Sequence, residues 1–284
     1  MSLPARGGQA AEGAGLAAAA RDWGLLYWRP SLGSQRKISM EVFWEIHRGL
    51  PQEGPGCEES TLQALSLLAG VPAAPRILDV GCGPGRQTLT LARHTGGHVV
   101  AVDTHQPYLD QVAQRASREG LAERITTRNC SMTEMDFPDQ SFDLIWSEGA
   151  LYIMGFEKGL QAWKRFLKPK GSLAVTELSW LTDAPPGEAK QFFDEAYPVM
   201  KTVAQNLETI GSAGYVSSPH FALPPWAWWD NYYTPLEARI AELRKQHAGN
   251  AAALKELDAE QREIDVYRRY SDAYGYVFYL MEKP

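Results

Sequence analysis

Ile77-Leu78-Asp79-Val80-Gly81-Cys82-Gly83-Pro84-Gly85-Arg86-Gln87-Thr88 is the stretch that decides the fold. It reads as a buried strand, a glycine loop and the first turn of a helix. Gly81, Gly83 and Gly85 stand at alternate positions. Without a Cβ, such a backbone lets a ligand come close. The helix that follows starts with unpaired N–H groups, a seat for a carboxylate or a phosphate.

Outward from this loop the chain alternates between two periods. Short, apolar, mostly β-branched runs predict strands over 76–80, 98–103, 124–129, 143–147 and 172–177. Helical spacing predicts helices over 86–94, 107–119 and 157–167. Strand–helix alternation at this rhythm means βαβ units, an α/β class and a doubly wound, mostly parallel sheet. Residues 187–209 read as one further helix, 215–221 as an extended piece and 274–280 as a last strand. The segment 223–272 between them is too long for a hairpin connection and is predicted to be a helical insertion. Upstream, Val42, Phe43, Ile46 and Leu50 fall at helical spacing, followed by Gly54-Pro55-Gly56 and a second helix with Leu62, Leu65 and Leu68 on one face. Residues 1–39 are expected to be a flexible extension, with low-complexity sequence over 7–20. The expected organisation is thus a domain over 40–284. It divides into a helical cap (40–72), a core (73–222), the insertion (223–272) and the last strand (273–284).

The 284 residues suffice for one large α/β domain, and a hydrophobic fraction of 44% is ordinary for a globular core. A net charge of −6 with no Lys/Arg block argues against a nucleic-acid partner. Three scattered cysteines form neither a disulfide framework nor a zinc site, so a reducing cytoplasm is expected. No run approaches the roughly 18 apolar residues that span a bilayer, and no membrane partner is expected.

Ligands of open α/β sheets bind beyond the C-terminal strand ends, where the strand order reverses. Asp103 ends the second expected strand about twenty residues after Gly83, placed to accept both hydroxyls of a ribose. That fits a nicotinamide dinucleotide as well as other adenosyl cofactors. The dinucleotide fingerprint, however, is G-x-G-x-x-G, and here Arg86 stands where its third glycine would be.

With Asp79 in front, the loop resembles motif I of the class I S-adenosylmethionine (SAM) methyltransferases. Ser131–Asp143 resembles that family's D-A-x-x-L-P-F-x-D-x-S-F-D segment, and Leu167-Lys168-Pro169-Lys170-Gly171 its L-K-P-G-G turn. Ser131 replaces the usual adenine-contacting Asp, and Lys170 replaces a glycine. The outer parts are similar to a narrower branch of the ubiquinone/menaquinone-biosynthesis-type superfamily. The matching parts are the Gly54–Gly56 loop, Ser147-Glu148-Gly149 and the Tyr-rich strand Tyr274–Tyr279. The resemblance implies a seven-stranded Rossmann-like sheet, with SAM as cofactor and S-adenosylhomocysteine (SAH) as product. In the first loop it assigns cofactor contacts to Asp79, Gly81, Cys82, Gly83, Gly85, Gln87 and Thr88. At the later strand ends it assigns them to Asp103, Thr104, Ser131, Met132, Ser147 and Glu148.

The activity implied is transfer of a methyl group to a small-molecule acceptor. An NAD(P)-dependent Rossmann oxidoreductase and a non-catalytic SAM-binding regulatory protein are the rival readings. Methyl transfer from a sulfonium is an in-line displacement, in which the protein aligns the acceptor and, where needed, removes its proton. Glu148, just past the fourth strand, and Tyr152 are the candidate catalytic residues. Glu148 reads equally as a partner of the cofactor's ammonium or of a helix end. The family's His near Tyr152 or Ile153 is missing. No Asn/Asp-Pro-Pro-Tyr/Phe or Pro-Cys follows the fourth strand, and no metal cluster is expected. The candidate acceptor pocket takes Trp180, Trp229 and Tyr232, with His47, Gly54 and Gly56 covering the cofactor. These aromatics would serve equally as core beneath the insertion, which also offers a surface for a homodimer.

Overall fold

The computed structural model describes residues 42–284. After a short helix α1 (42–47) come α2 (Glu58–Leu67), β1 (Arg76–Val80), α3 (Arg86–His94), β2 (His98–Asp103), α4 (Gln106–Arg118) and β3 (Ile125–Asn129). Then follow β4 (Phe142–Ser147), α5 (Phe156–Trp163), β5 (Leu167–Trp180), α6 (Gly187–Ala196), β6 (Lys201–Thr202) and α7 (Val203–Ser212). The chain closes with β7 (Val216–Ala222), α8 (Thr234–Gln246), α9 (Ala251–Tyr270) and β8 (Tyr274–Glu282).

The strands form one sheet in the order β3-β2-β1-β4-β5-β8-β7, with β6 beside β5. Strands β1 to β5 run parallel, and β8 is antiparallel between β5 and β7. Order reverses between β1 and β4, so the crevice opens above Val80 and Ser147. Central strands are apolar on both faces because helices cover both. Ile77, Ala101, Leu144, Trp146 and Phe278 enter one core; Leu78, Val102, Ile145, Val175 and Tyr279 enter the other. Fully buried Trp146, Trp163 and Phe142 anchor these layers. Burying a side chain of the Phe class contributes roughly 1.5–3 kcal/mol. An exposed ion pair on this surface contributes about 0–1 kcal/mol, so the core dominates.

Two expectations about this region are revised. The expected seven strands are joined by an eighth, β6, whose two residues are too few to show a period. The single helix expected over 187–209 is two, α6 and α7. Between them Pro198 lacks the N–H a continuing helix would need, and Thr202 starts α7 as a capping box with Gln205. The expected insertion is helical, and it begins as a one-turn helix at Trp226–Trp228. That turn widens to π geometry over Trp229–Tyr233 before α8. Pro235 cannot bond the carbonyl four residues earlier and its ring crowds it; the wider turn makes room. The expected extension over 1–39 lies outside the described residues.

The cap and the insertion are tied to each other. Gly56 N–H donates to Ala227 O at 3.0 Å, and Arg239 Nε to Glu45 O at 2.9 Å. His47 Nδ1 stands 2.8 Å from Glu53 Oε2. No helix among the described residues is long and apolar enough to cross a membrane.

Candidate active site

The glycine loop is shaped from below. Gly81 and Cys82 donate their N–H groups to Val102 O at 2.9 and 3.0 Å, which pins the loop to the end of β2. Asp79, fully buried, accepts from Thr88 Oγ1 at 2.5 Å and Gln87 Nε2 at 3.3 Å, and Gln87 Nε2 also reaches Cys82 O at 3.2 Å. Asp79, Gln87 and Thr88 therefore hold the loop and the start of α3 together. Burial pushes the Asp79 carboxyl up to about 7, against the pull of those two donors. The Cys82 thiol is buried and raised well above its ordinary value, so it stays neutral.

Two glycines show why the loop needs them. Gly81 has φ +71°, and a Cβ there would meet Ala150 Cβ at 2.4 Å. Gly83 has φ +53° and nothing within 4 Å of where a Cβ would stand, so its backbone faces open space. Gly85 starts α3 against Val112 of α4.

Beside the loop, at Gly81, lies a cleft with about 350 Å³ of empty space, part of it open to solvent. Gly81, Val102, Asp103 and Thr104 wall it from the first two strand ends, Cys130 and Met132 after β3, and Ala150 and Ile153 after β4. Asp103 is 3% exposed; its Oδ2 accepts from Gly83 N–H at 2.9 Å and its Oδ1 from His105 N–H at 2.8 Å. Burial raises it to about 6, although the backbone donors oppose this. Ser131 lies beside the cleft in a turn, its Oγ 2.8 Å from Thr133 Oγ1. Ser147 is fully buried and donates to Val80 O at 2.9 Å, a clip between strand ends. Trp44 of α1 stacks on His105 at 4.2 Å, laying the cap beside Asp103.

Glu148 is held on all sides. Its Oε2 accepts from Arg86 Nη2 at 2.5 Å, and its Oε1 from Thr61 Oγ1 at 2.7 Å and Trp146 Nε1 at 2.8 Å. A carboxylate that is 4% exposed and receives three donors is placed as a structural anion. The expectation of a free base at Glu148 gives way to that role. Tyr152, partly buried beside Ile153, packs edge-on to Tyr197 at 6.3 Å, and burial raises its phenol.

The proposed pocket residues separate. Trp180 packs edge-on to Phe193 at 5.5 Å and Tyr274 at 6.1 Å; it is core, as its alternative reading allowed. Trp229 lies beside Tyr233, with the Arg268 guanidinium 4.9 Å from its ring. His47 and Tyr232 are both buried and both feel the charges of Glu53, Glu260 and Glu263. The burial of His47 lowers its pKa, but hydrogen bonding to Glu53 and the charges of Glu53, Glu260 and Glu263 outweigh this and raise it. Gln52 Nε2 bonds the carbonyls of Gly54 and Gly56 at 2.7 and 2.9 Å and so shapes the cap loop. A Cβ on Gly56 would come within 2.6 Å of Arg86 Nη2, so that loop borders the Glu148 ion pair rather than the glycine cleft.

The chain matches a methyltransferase domain family over residues 77–171. It is 26% identical to the 27-O-demethylrifamycin SV methyltransferase of Amycolatopsis mediterranei, over 86% of this chain and 93% of that protein. The fold is similar to a SAM-dependent methyltransferase from Geobacter sulfurreducens in complex with SAH. That likeness has a TM-score of 0.73 at 19% identity and covers 86% of this chain and 98% of that one. The chain is a class I SAM-dependent methyltransferase. It is also 28% identical to the glycine/sarcosine/dimethylglycine N-methyltransferase of Actinopolyspora halophila. That match covers 60% of the methyltransferase described here but only 30% of the relative.

The cleft suits this methyltransferase's cofactor. Asp103 presents a buried carboxylate beside the Gly83 backbone, and Val102, Cys130 and Met132 line the cleft with apolar groups. Sequence reasoning missed Thr61, Glu53, Tyr197, Glu177 and Glu263. Glu177 alone left a signal, an acid inside the apolar run Leu173–Trp180.

Proposed function

We propose that this enzyme moves a methyl group from SAM to a small-molecule acceptor by in-line displacement, with the acceptor lying beyond Ile153 and Tyr152 beneath the cap and insertion. Bound SAM supplies a methyl carbon already activated by its sulfonium. The chain's task is to bind, align and dry the site. Asp103 holds the ribose hydroxyls, the Gly83 backbone lies against the amino-acid end, and Met132 lies against the adenine. Glu148 fixes Arg86 and the start of α3, and Tyr152 forms the wall between cofactor and acceptor. The observation that carries this reading is the open space over Gly83, flanked by the buried carboxylate of Asp103.

The acceptor is read as a metabolite rather than a nucleic acid, in keeping with the net charge of −6. The curated relatives are named for small molecules, with an oxygen acceptor in one name and a nitrogen acceptor in the other. A cytoplasmic location, with two copies meeting through the insertion, completes the proposal. Thermal unfolding with SAM, SAH and NAD tests it. Both adenosyl ligands should raise the Tm and NAD should leave it unchanged; a rise with NAD alone overturns it.

A further inference from the structure

Glu177 interrupts the apolar face of β5 and is 3% exposed. It lies between Val175, which pairs with Ser147 at the end of β4, and Ser179, which pairs with Lys201 of β6. The sheet therefore has a notch at Glu177, at the crevice end of the parallel strands. Its Oε1 accepts from Tyr197 Oη at 2.5 Å, while its Oε2 is buried without a hydrogen-bond partner. Tyr197 packs on Tyr152, whose neighbour Ile153 lines the cofactor cleft. Tyr276 and Tyr279 of β8 also feel its charge. Lys201, a cation near enough to influence it, commits its Nζ to Thr209 Oγ1 at 2.9 Å.

A buried carboxyl with an orphaned oxygen and no bonded cation is costly to keep. A hydroxyl ligand would satisfy Oε2 but would not stabilise the carboxyl once ionised; an ammonium would do both. We propose that Glu177 receives the methyl acceptor, and that this acceptor is an amine whose ammonium proton passes to Glu177 Oε2. In that step an N–H bond breaks and an O–H bond forms. The electron pair stays on nitrogen, and the buried ion pair becomes two neutral groups. The freed lone pair is what methyl transfer requires, so the inference rests on the methyl-transfer reading above. Burial has already pushed Glu177 up to about 8, with the Tyr197 bond and the Lys201 charge opposing. Its proton affinity is thereby closer to that of an amine than an ordinary carboxyl's is. It also follows that the empty site holds a proton at neutral pH, which leaves for solvent when an ammonium binds.

The test is calorimetry on the SAH-saturated protein. Methylamine, benzylamine and phenethylamine are each compared with the matching alcohol, in buffers of low and high ionisation enthalpy. At least one amine should bind with release of about one proton per site, and at least about tenfold more tightly than its alcohol. Glu177→Gln should bind SAH as the parent does, lose at least about tenfold in amine affinity and release no proton; Glu177→Asp should restore part of the release. Binding of none of the amines, equal binding of the alcohol, or proton release unchanged in Glu177→Gln each overturns the inference. Failure of the parent protein to bind SAH overturns the methyl-transfer reading instead.

Discussion

Arg86 Nη2 lies 2.5 Å from Glu148 Oε2, and this ion pair joins the first turn of α3 to the chain leaving β4. Gly81 in the loop that leads into α3 and Ala150 after β4 both wall the cleft, so the pair helps to fix their separation. Removing Arg86 strands a buried carboxylate with only neutral donors, at a cost of about 3–5 kcal/mol. Glu148→Gln keeps the shape and most of the hydrogen bonds, at about 1–2 kcal/mol. Urea unfolding of Arg86→Ala and Glu148→Gln should show that order. Turnover of Glu148→Gln should stay within about tenfold of the parent, whereas a loss beyond about a hundredfold would make Glu148 a base after all.

Gly83 and Gly85 should separate binding from stability. At Gly83 a methyl group meets nothing within 4 Å, and only its φ of +53° is unfavourable, at about 1–2 kcal/mol. That methyl group would stand in the cofactor's space, so Gly83→Ala should fold yet bind SAH at least about tenfold more weakly. Gly85→Ala puts a Cβ 2.5 Å from Val112 Cγ2 at φ +87°. It should lose roughly 2–4 kcal/mol through overpacking and strain together. Chemical unfolding read beside SAH calorimetry distinguishes the two.

Much of this was legible in residues 77–103 because a buried strand, a glycine loop and a strand-terminal acid are each local patterns. The register pairing Asp79 with Ala101 and Trp146 follows from those runs. What escaped the sequence is what only folding brings together. Thr61 and Glu148 are 87 positions apart, and a lone threonine on a helix gives no hint of a carboxylate. Glu53 and Glu263 likewise look like solvated charges until the insertion folds against the cap. Leu62 and Leu65 set the expected apolar face of α2, yet Ser60, Thr61 and Ala64 are buried, because that face meets a polar network rather than the core alone.

SAH affinity should depend on pH through Asp103. Its carboxyl is raised to about 6 by burial, and the ionised form is the one that accepts from two ribose hydroxyls. Lowering the pH through that value removes an acceptor, so the Kd should rise, approaching about tenfold per pH unit below it. Asp103→Asn should bind weakly at every pH, with a flat profile. Calorimetry between about pH 5 and pH 8 reads both, and a parent profile as flat as the variant's would contradict the role given to Asp103.

Stability of the ligand-free protein should run the other way along the pH axis. Burial raises Asp79 to about 7, Asp103 to about 6 and Glu177 to about 8. Unfolded carboxyls titrate near 4, so between about 4 and 8 the native state holds more protons than the unfolded one. The stabilisation is complete below the unfolded value and is lost as pH rises through the folded values. The urea midpoint should therefore fall between about pH 6 and pH 8.5, where Asp79 and Glu177 still titrate. Glu177→Gln removes one titrating group and should flatten the decline.

Lys170 offers a gain rather than a loss. It stands where the related turn has glycine, and its φ is +62°, in the left-handed region. Its N–H bonds Lys283 O at 3.0 Å, a contact that any residue at this position keeps. Its side chain is exposed, and its ion pair with Glu282 at 3.2 Å is a surface pair that contributes about 0–1 kcal/mol. Relief of the backbone strain is worth about 1–2 kcal/mol, partly offset by the greater freedom of glycine in the unfolded chain. Lys170→Gly should therefore raise the urea midpoint by the equivalent of about 0.5–1 kcal/mol and leave SAH binding unchanged, since the turn lies at the opposite strand end from the cleft. A lower midpoint would mean that the side chain, and not the backbone angle, sets the stability of this turn.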